Sequence, residues 1–166
     1  MVAKFSVAAL DLSVDRTGFD CGVEPLDRYV RNQVSQDIRR RMTACFVARD
    51  LDGRIAGYYT LASASVTLSD LPESLAKKLP RYPSVPAVRM GRLAVDHAYR
   101  GEGLGAALLA DALRRAATAE IAAYALVVDA KDTSAAEFYA NHGFTALPEQ
   151  PLFLFLPLAT VKSLIE

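Results

Sequence analysis

Arg100-Gly101-Glu102-Gly103-Leu104-Gly105 is the stretch on which the reading of the fold turns. It follows an apolar run that ends at Val95 and opens an amphipathic run, so it joins a strand to a helix. Glycines at such a junction let the backbone come close to a ligand, and the first N–H groups of the helix have no partner within it. A helix start of this kind suits a pyrophosphate. Two nucleotide motifs compete for the loop. A P-loop needs Gly-Lys-Ser/Thr, which is absent. Gly101-x-Gly103-x-x-Ala106 spells a Rossmann fingerprint, but four residues, His97 to Arg100, separate the strand end from the first glycine. A Rossmann turn is tight there. Only one good β-loop-α-β unit follows, and the sheet before it is built from hairpins.

Downstream, Leu104 to Glu120 is expected to be a helix, with Leu104, Leu108, Ala112 and Ala116 on its inner face and Arg114 and Arg115 outside. Tyr124 to Val128 has the character of a buried strand. Thr133 to Asn141 is a helix closed by Gly143. Phe144 to Leu147 and Phe153 to Leu158 are the last strands, and the apolar run Leu152 to Leu158 suits a core strand better than a dimer seam. Upstream, Phe5 to Leu10 is a first strand. A helix is expected from Glu24 to Arg40, with Pro25 in its first turn. Leu26, Tyr29, Val30, Val34 and Ile38 share one face of it, and Arg28, Arg31 and Arg39 the opposite face. Ala44 to Arg49 and Ile55 to Ala64 pair across Asp52-Gly53, a hairpin signal. Pro72 to Leu79 suggests a short helix, Pro83 and Pro86 an extended connection, and Ala87 to Val95 a long strand. The order β α β β α β α β α β β implies an α/β fold on a mixed sheet.

The chain has 166 residues, 52% of them hydrophobic and 23% charged, which suits one soluble domain spanning 1–166. Lysine plus arginine and aspartate plus glutamate number 19 each, so a globally basic nucleic-acid binder is not indicated. Cys21 and Cys45 form no CxxC pair, which argues against structural zinc and for no metal at all. A reducing compartment is the simpler reading, with a single disulfide left open. Met1 to Leu10 lacks a signal-peptide apolar region, and no run approaches the length needed to span a membrane. The expected location is cytoplasmic, with no membrane partner.

Three blocks carry a resemblance. Arg100-x-x-Gly103-x-Gly105 resembles the acetyl-CoA pyrophosphate loop of the GNAT superfamily, R/Q-x-x-G-x-G/A. Arg92-Leu93-Ala94-Val95 looks like that superfamily's central strand, and Ala136-Glu137-Phe138-Tyr139-Ala140-Asn141-His142-Gly143-Phe144 like its late A-x-x-F-Y-x-x-x-G-F segment. The resemblance implies the acyl-CoA N-acyltransferase fold, a mixed and mostly antiparallel central sheet flanked by helices. It implies acetyl-CoA as acetyl donor. It also implies cofactor contacts at Leu93, Ala94 and Val95, at Arg100, Gly101, Glu102, Gly103, Leu104 and Gly105, and at Phe138. Acetyl transfer needs a free-base amine, a stabilised oxyanion and a protonated or held thiolate. Tyr139 aligns with the superfamily's tyrosine near the sulfur. A phenol, with a reference pKa of about 10 against about 8.5 for a thiol, is a sensible acid there. No general base stands out, and neither His97 nor His142 is assigned that role.

The N-terminal half narrows the family. Phe19-Asp20-Cys21-Gly22-Val23-Glu24-Pro25-Leu26-Asp27, Gly57-Tyr58-Tyr59-Thr60-Leu61 and Met90-Gly91-Arg92-Leu93-Ala94-Val95-Asp96 resemble segments of the GNAT toxins of bacterial toxin–antitoxin pairs. That resemblance implies acetylation of the α-amino group of an aminoacyl-tRNA, a ribbon-helix-helix antitoxin and a homodimer, with Tyr139 as the catalytic residue. Such a substrate demands a basic track. Arg28 to Arg41 holds five arginines against one acid, Asp37, and Ser74 to Val95 holds five cations and no acid. Arg28, Arg31, Arg39, Arg40, Lys77, Lys78, Arg81, Arg89 and Arg92 are therefore the candidate tRNA contacts. An α-amine, with a reference pKa of about 8, also needs less help from a base than a lysine at about 10.4. Two alternatives stay open: an acceptor that is a small-molecule amine or a protein N-terminus, and a non-catalytic acetyl-CoA-binding module.

Overall fold

A computed structural model describes residues 4–165. The ends of the expected 1–166 domain, and the first residues of the Met1–Leu10 run, lie outside the described residues. Among the described residues there are seven strands and six α-helices, in the order β1 (Ser6–Ala9), α1 (Glu24–Arg28), α2 (Val34–Arg39), β2 (Ala44–Arg49), β3 (Ile55–Thr67), α3 (Glu73–Ala76), β4 (Ser84–Val95), α4 (Leu104–Thr118), β5 (Ala125–Asp129), α5 (Thr133–Asn141), β6 (Thr145–Leu147), β7 (Gln150–Pro157) and α6 (Leu158–Ile165). The strands order as β1-β2-β3-β4-β5-β7-β6 in a mixed, mostly antiparallel sheet. The fold is the expected α/β type. The chain divides into two compact units, one of residues up to Ala62 with Gly91–Ala112, the other of Ser63–Met90 with the residues from Leu113 onward.

In the first unit β1 runs antiparallel to β2, and β2 to β3. The hairpin between β2 and β3 turns at Gly53, with φ at +85°, a conformation that favours glycine. Asp50 Oδ1 accepts from the Asp52 and Arg54 N–H groups and fixes that turn. One face of the unit buries Phe19, Tyr29, Val30, Val34, Val47, Ile55, Tyr58 and Ala94 together. On β3, Gly57 lies against the side chains of Leu104 and Leu108 from α4. Tyr59 donates to Asp111 Oδ2 on the same helix at 2.5 Å and stacks on Phe46.

In the second unit β4 pairs parallel with β5 from Ala87↔Ala125 to Met90↔Val128, and β7 lies antiparallel to both β5 and β6. Its core joins Val66, Leu71, Val85, Ala87, Ala125, Val127, Leu147 and Phe155. Helix α5 begins at an Asp132 cap whose carboxylate accepts from Ala135 N–H, and packs on β7. It ends at Gly143, with φ at +96°, as its sequence position requires.

Four features depart from the sequence reading. The helix expected over 24–40 is broken by a π-helical turn, Tyr29–Gln33, in which Val34 N–H bonds to Tyr29 C=O five residues back. Tyr29, Val30 and Val34 are all buried, as their shared face requires. β3 continues to Thr67, three residues past the expected end at Ala64. Pro86 lies inside β4, exposed near its start, where its carbonyl still accepts from Tyr124 N–H at 2.8 Å. The apolar run Leu152 to Leu158 is the expected core strand, with Leu154 and Phe155 buried, but it stops at Pro157 and the chain turns helical at Leu158.

Candidate active site

Asp96 ends β4 and starts the loop toward α4. It is 2% exposed, a burial that a carboxylate tolerates only with partners. It has them: Oδ1 accepts from Ala98 N–H at 2.9 Å as the cap of a 3₁₀ turn, His97–Tyr99, and the Arg54 guanidinium lies 3.5 Å away. Tyr99 in that turn donates to Asp50 Oδ2 at 2.5 Å and meets Phe5 edge-on. The loop thus leaves β4 along a fixed path. Gly101 and Gly103 follow, with φ at +79° and +75° and open space where a side chain would begin. These two glycines serve the backbone path, leaving the ground before the start of α4 clear. Glu102 pairs with Lys4 at 3.0 Å, and Arg100 donates from Nη2 to the Cys21 carbonyl at 2.6 Å. Leu93 and Val95 are half-buried while Ala94 is buried in the core of this unit. All three lie beyond Met90, where the parallel register with β5 ends.

The π-helical turn holds the second group of residues. The Arg92 guanidinium sits over the Tyr29 ring at 3.4 Å, a cation–π contact, and the Tyr29 hydroxyl donates to Asp37 Oδ2 at 2.8 Å. Burial, then the Asp37 bond, push the Tyr29 phenol well above its ordinary range. Arg31 was expected on the outer face beside Arg28 and Arg39. The π turn instead rotates it inward, half-buried, where Nε and Nη2 both donate to the Phe19 carbonyl. Arg28, Arg39 and Arg40 remain exposed, Arg28 with Glu24 as a distant ion-pair partner at 3.9 Å.

The second unit carries Phe138 and Tyr139 on α5. Tyr139 is 9% exposed, edge-on to Phe138 and tilted against Phe144, with centroids at 5.3 and 5.6 Å. Burial pushes its phenol up to about 12. Lys77, Lys78, Arg81 and Arg89 are exposed, and Arg89 pairs with Asp129. His142 is exposed and bonds through Nδ1 to the Phe138 carbonyl at the end of α5. Both cysteines are free and buried, and burial raises Cys21 to about 11 and Cys45 to about 12. Both are neutral thiols, unsuited to nucleophilic work.

Asp96 and Asp20 received no role from the sequence, although both stand in the quoted motifs. An acid directly after an apolar strand and before a turn is the signal that identifies Asp96 as a cap.

Residues 16–153 match the acetyltransferase (GNAT) domain family, and the chain belongs to that family. Acetyl transfer from acetyl-CoA to an amine is its class of reaction. A "tRNA-acetylating toxin" of Mycobacterium tuberculosis is 37% identical over 153 residues, covering 91% of this chain and 90% of the relative. Among solved structures, AtaT complexed with acetyl-methionyl-tRNAfMet superposes with a TM-score of 0.90 at 29% identity, covering 98% of this chain and 99% of the other. A mutant AtaT toxin bound to the C-terminus of its antitoxin AtaR and to acetyl-CoA has a TM-score of 0.82 at 25% identity, covering 98% and 99%. No helix among the described residues is long and apolar enough to cross a membrane.

Proposed function

We propose that this chain moves acetyl from acetyl-CoA to the α-amino group of an aminoacyl-tRNA and so acts as the translation-blocking toxin of a toxin–antitoxin pair. The observation that carries the acetyl-CoA half is the open, positive-φ path of Gly101 and Gly103 into the 15-residue helix α4. It leaves the first helical N–H groups free to meet a pyrophosphate. The named activities of the relatives support the tRNA half. The family match runs through both compact units, which supports reading them as one domain. The partners are an antitoxin of the ribbon-helix-helix class and a second copy of the chain, and the place of action is the cytoplasm.

The roles divide as follows. Backbone groups of Leu93, Ala94 and Val95 pair with the pantetheine arm, those of Arg100, Gly101, Glu102, Gly103, Leu104 and Gly105 hold the pyrophosphate, and Phe138 packs against the cofactor. When bound, acetyl-CoA supplies the activated acetyl group as a thioester. Tyr139 gives its proton, or a hydrogen bond, to the departing sulfur. Exposed Arg28, Arg39, Arg40, Lys77, Lys78 and Arg81, with Arg89 and Arg92, meet phosphates of the acceptor. Arg31 donates from Nε and Nη2 to the Phe19 carbonyl and contributes through the fold.

The test is tightly controlled expression with mass spectrometry of tRNA-linked amino acids. Growth arrest with N-acetylated aminoacyl-tRNA is the expected result. Normal growth without that product, from protein that still binds acetyl-CoA, moves the acceptor to a small amine or a protein N-terminus.

A pH profile checks the acid. The acceptor must be neutral, so kcat/KM rises with pH through the α-amine value of about 8 and then levels. With the Tyr139 phenol pushed up to about 12, it keeps its proton across that range, so no fall is expected before pH 10. A descending limb between pH 8 and 10 would assign the proton to a different group.

A further inference from the structure

Five contacts join the N-terminal turn at Asp20-Cys21-Gly22 to the loop that leads into α4. The Asp20 N–H donates to Asp96 Oδ2 at 3.0 Å, and the His97 N–H donates to the Asp20 carbonyl at 2.9 Å. His97 Nε2 lies 3.3 Å from Asp20 Oδ1. Arg100 reaches back 79 residues to the Cys21 carbonyl. Gly22, with φ at +87°, lies so close to the loop that a Cβ there would come within 2.8 Å of His97 Cε1 and 3.3 Å of Arg100 Nη2. The turn is itself held. Asp20 Oδ1 accepts from Gly22 N–H at 3.0 Å, and Asp27, 2% exposed, accepts from Cys21 N–H at 2.8 Å. The Phe19 carbonyl just before it takes both bonds of Arg31 from the π-helical turn.

We propose that the Asp20-Cys21-Gly22 turn positions the acetyl-CoA loop, and that Arg100 is a positioning residue that acts through this turn rather than as a charge on the pyrophosphate. The proposal rests on the acetyl-CoA reading of the loop. Two glycines with positive φ give Gly101 to Gly103 freedom, so the loop needs an anchor on its strand side to present its N–H groups in one arrangement. Asp96, His97 and Arg100 supply that anchor at successive points, and each meets the same three-residue turn. The Arg100 guanidinium bonded to a carbonyl satisfies a backbone acceptor that no strand or helix serves. Glycine is favoured at position 22 by its φ of +87°, and a side chain there would also push aside the ends of His97 and Arg100.

The salt dependence of CoA binding separates the two roles, since only a charge on the pyrophosphate changes the slope when Arg100 is replaced. Calorimetric titration of the full chain with CoA across a range of salt concentrations is the measurement. Arg100→Ala is expected to weaken CoA binding about tenfold, the loss of one charge-assisted hydrogen bond. Arg100→Gln, whose amide nitrogen falls two bonds short of Nη2, is expected to weaken binding about as much as Arg100→Ala, and both variants to keep the wild-type slope of log Kd against log salt. Gly22→Ala is expected to weaken binding about tenfold, and the double variant Gly22→Ala with Arg100→Ala no further than about threefold more, because both act on one contact. In turnover, Arg100→Ala raises KM for acetyl-CoA while kcat stays within about twofold of wild type. A shallower salt slope in either Arg100 variant, or a fully additive double variant, overturns the proposal. Amide hydrogen exchange on the free protein tests the anchor without any ligand. Exchange over 97–103 should quicken in Arg100→Ala, and unchanged exchange in Arg100→Ala also overturns it. Wild-type protein that shows this exchange pattern but binds no CoA would keep the anchor and remove the acetyl-CoA reading instead.

Discussion

Replacing Tyr139 by phenylalanine is expected to lower acetyl transfer about 10²–10³-fold, with KM for acetyl-CoA within about twofold of wild type, the range a positioned general acid contributes. The variant removes one oxygen and leaves the ring. Packing against Phe138 and Phe144 survives, so the melting temperature should barely move. What goes is the oxygen proposed to donate to the departing sulfur. With its phenol pushed up to about 12, Tyr139 holds its proton more firmly than the reference tyrosine at about 10. Complete transfer to a thiolate near 8.5 is uphill, so the larger part of the benefit is a hydrogen bond that strengthens as negative charge develops. The same burial that makes the proton hard to lose keeps water away from the oxygen, which makes the bond worth more. Quantifying acetylated aminoacyl-tRNA in single-turnover reactions measures the chemical step. A loss below about threefold would mean that the sulfur leaves without help from this residue.

The sequence made the fold legible wherever local chemistry and tertiary packing agree. Asp52-Gly53 turns as spelled, and Gly143 closes α5. It hid what depends on contacts between distant segments. Nothing in Tyr29 to Gln33 announces a π turn, since the apolar spacing of Leu26, Tyr29, Val30, Val34 and Ile38 also suits a regular helix. Tyr29, where the turn begins, has partners the spacing cannot show, Arg92 over its ring and Asp37 at its hydroxyl. Arg31 was misplaced on the solvent face for that reason alone. The Phe19 to Gly22 segment was visible as a motif but had no physical role until Asp96, His97 and Arg100 were seen to meet it. Helix α6 went unread because Leu158 to Ile165 continues an apolar strand without a cap or a glycine to mark the change.

Gly57→Ala is the substitution expected to cost the most stability. Its added Cβ would lie 2.8 Å from Leu108 Cδ1 and 2.9 Å from the Ala94 carbonyl oxygen. Leu108 is fully buried, so its methyl has little room to yield, and the second obstacle is backbone. Overpacking of this kind costs about 3 kcal/mol, which in a chain of this length lowers the melting temperature by about 6–12 °C. The strain is also aimed. Ala94 lies between Leu93 and Val95, the strand proposed to pair with the pantetheine arm, so relief by moving its carbonyl displaces those N–H groups. The variant should therefore raise KM for acetyl-CoA even at temperatures where it remains folded. Gly18→Ala is the control, because its added Cβ meets nothing within 4 Å, and its melting temperature should stay within about 2 °C of wild type. If Gly57→Ala melts alongside that control, β3 and α4 have slack that these distances exclude, and the close approach at Gly57 is not what sets the position of Ala94. If it melts far below the control and KM rises, the glycine of the Gly57-Tyr58-Tyr59 motif is there for backbone proximity, and the site's strand is held in place from β3.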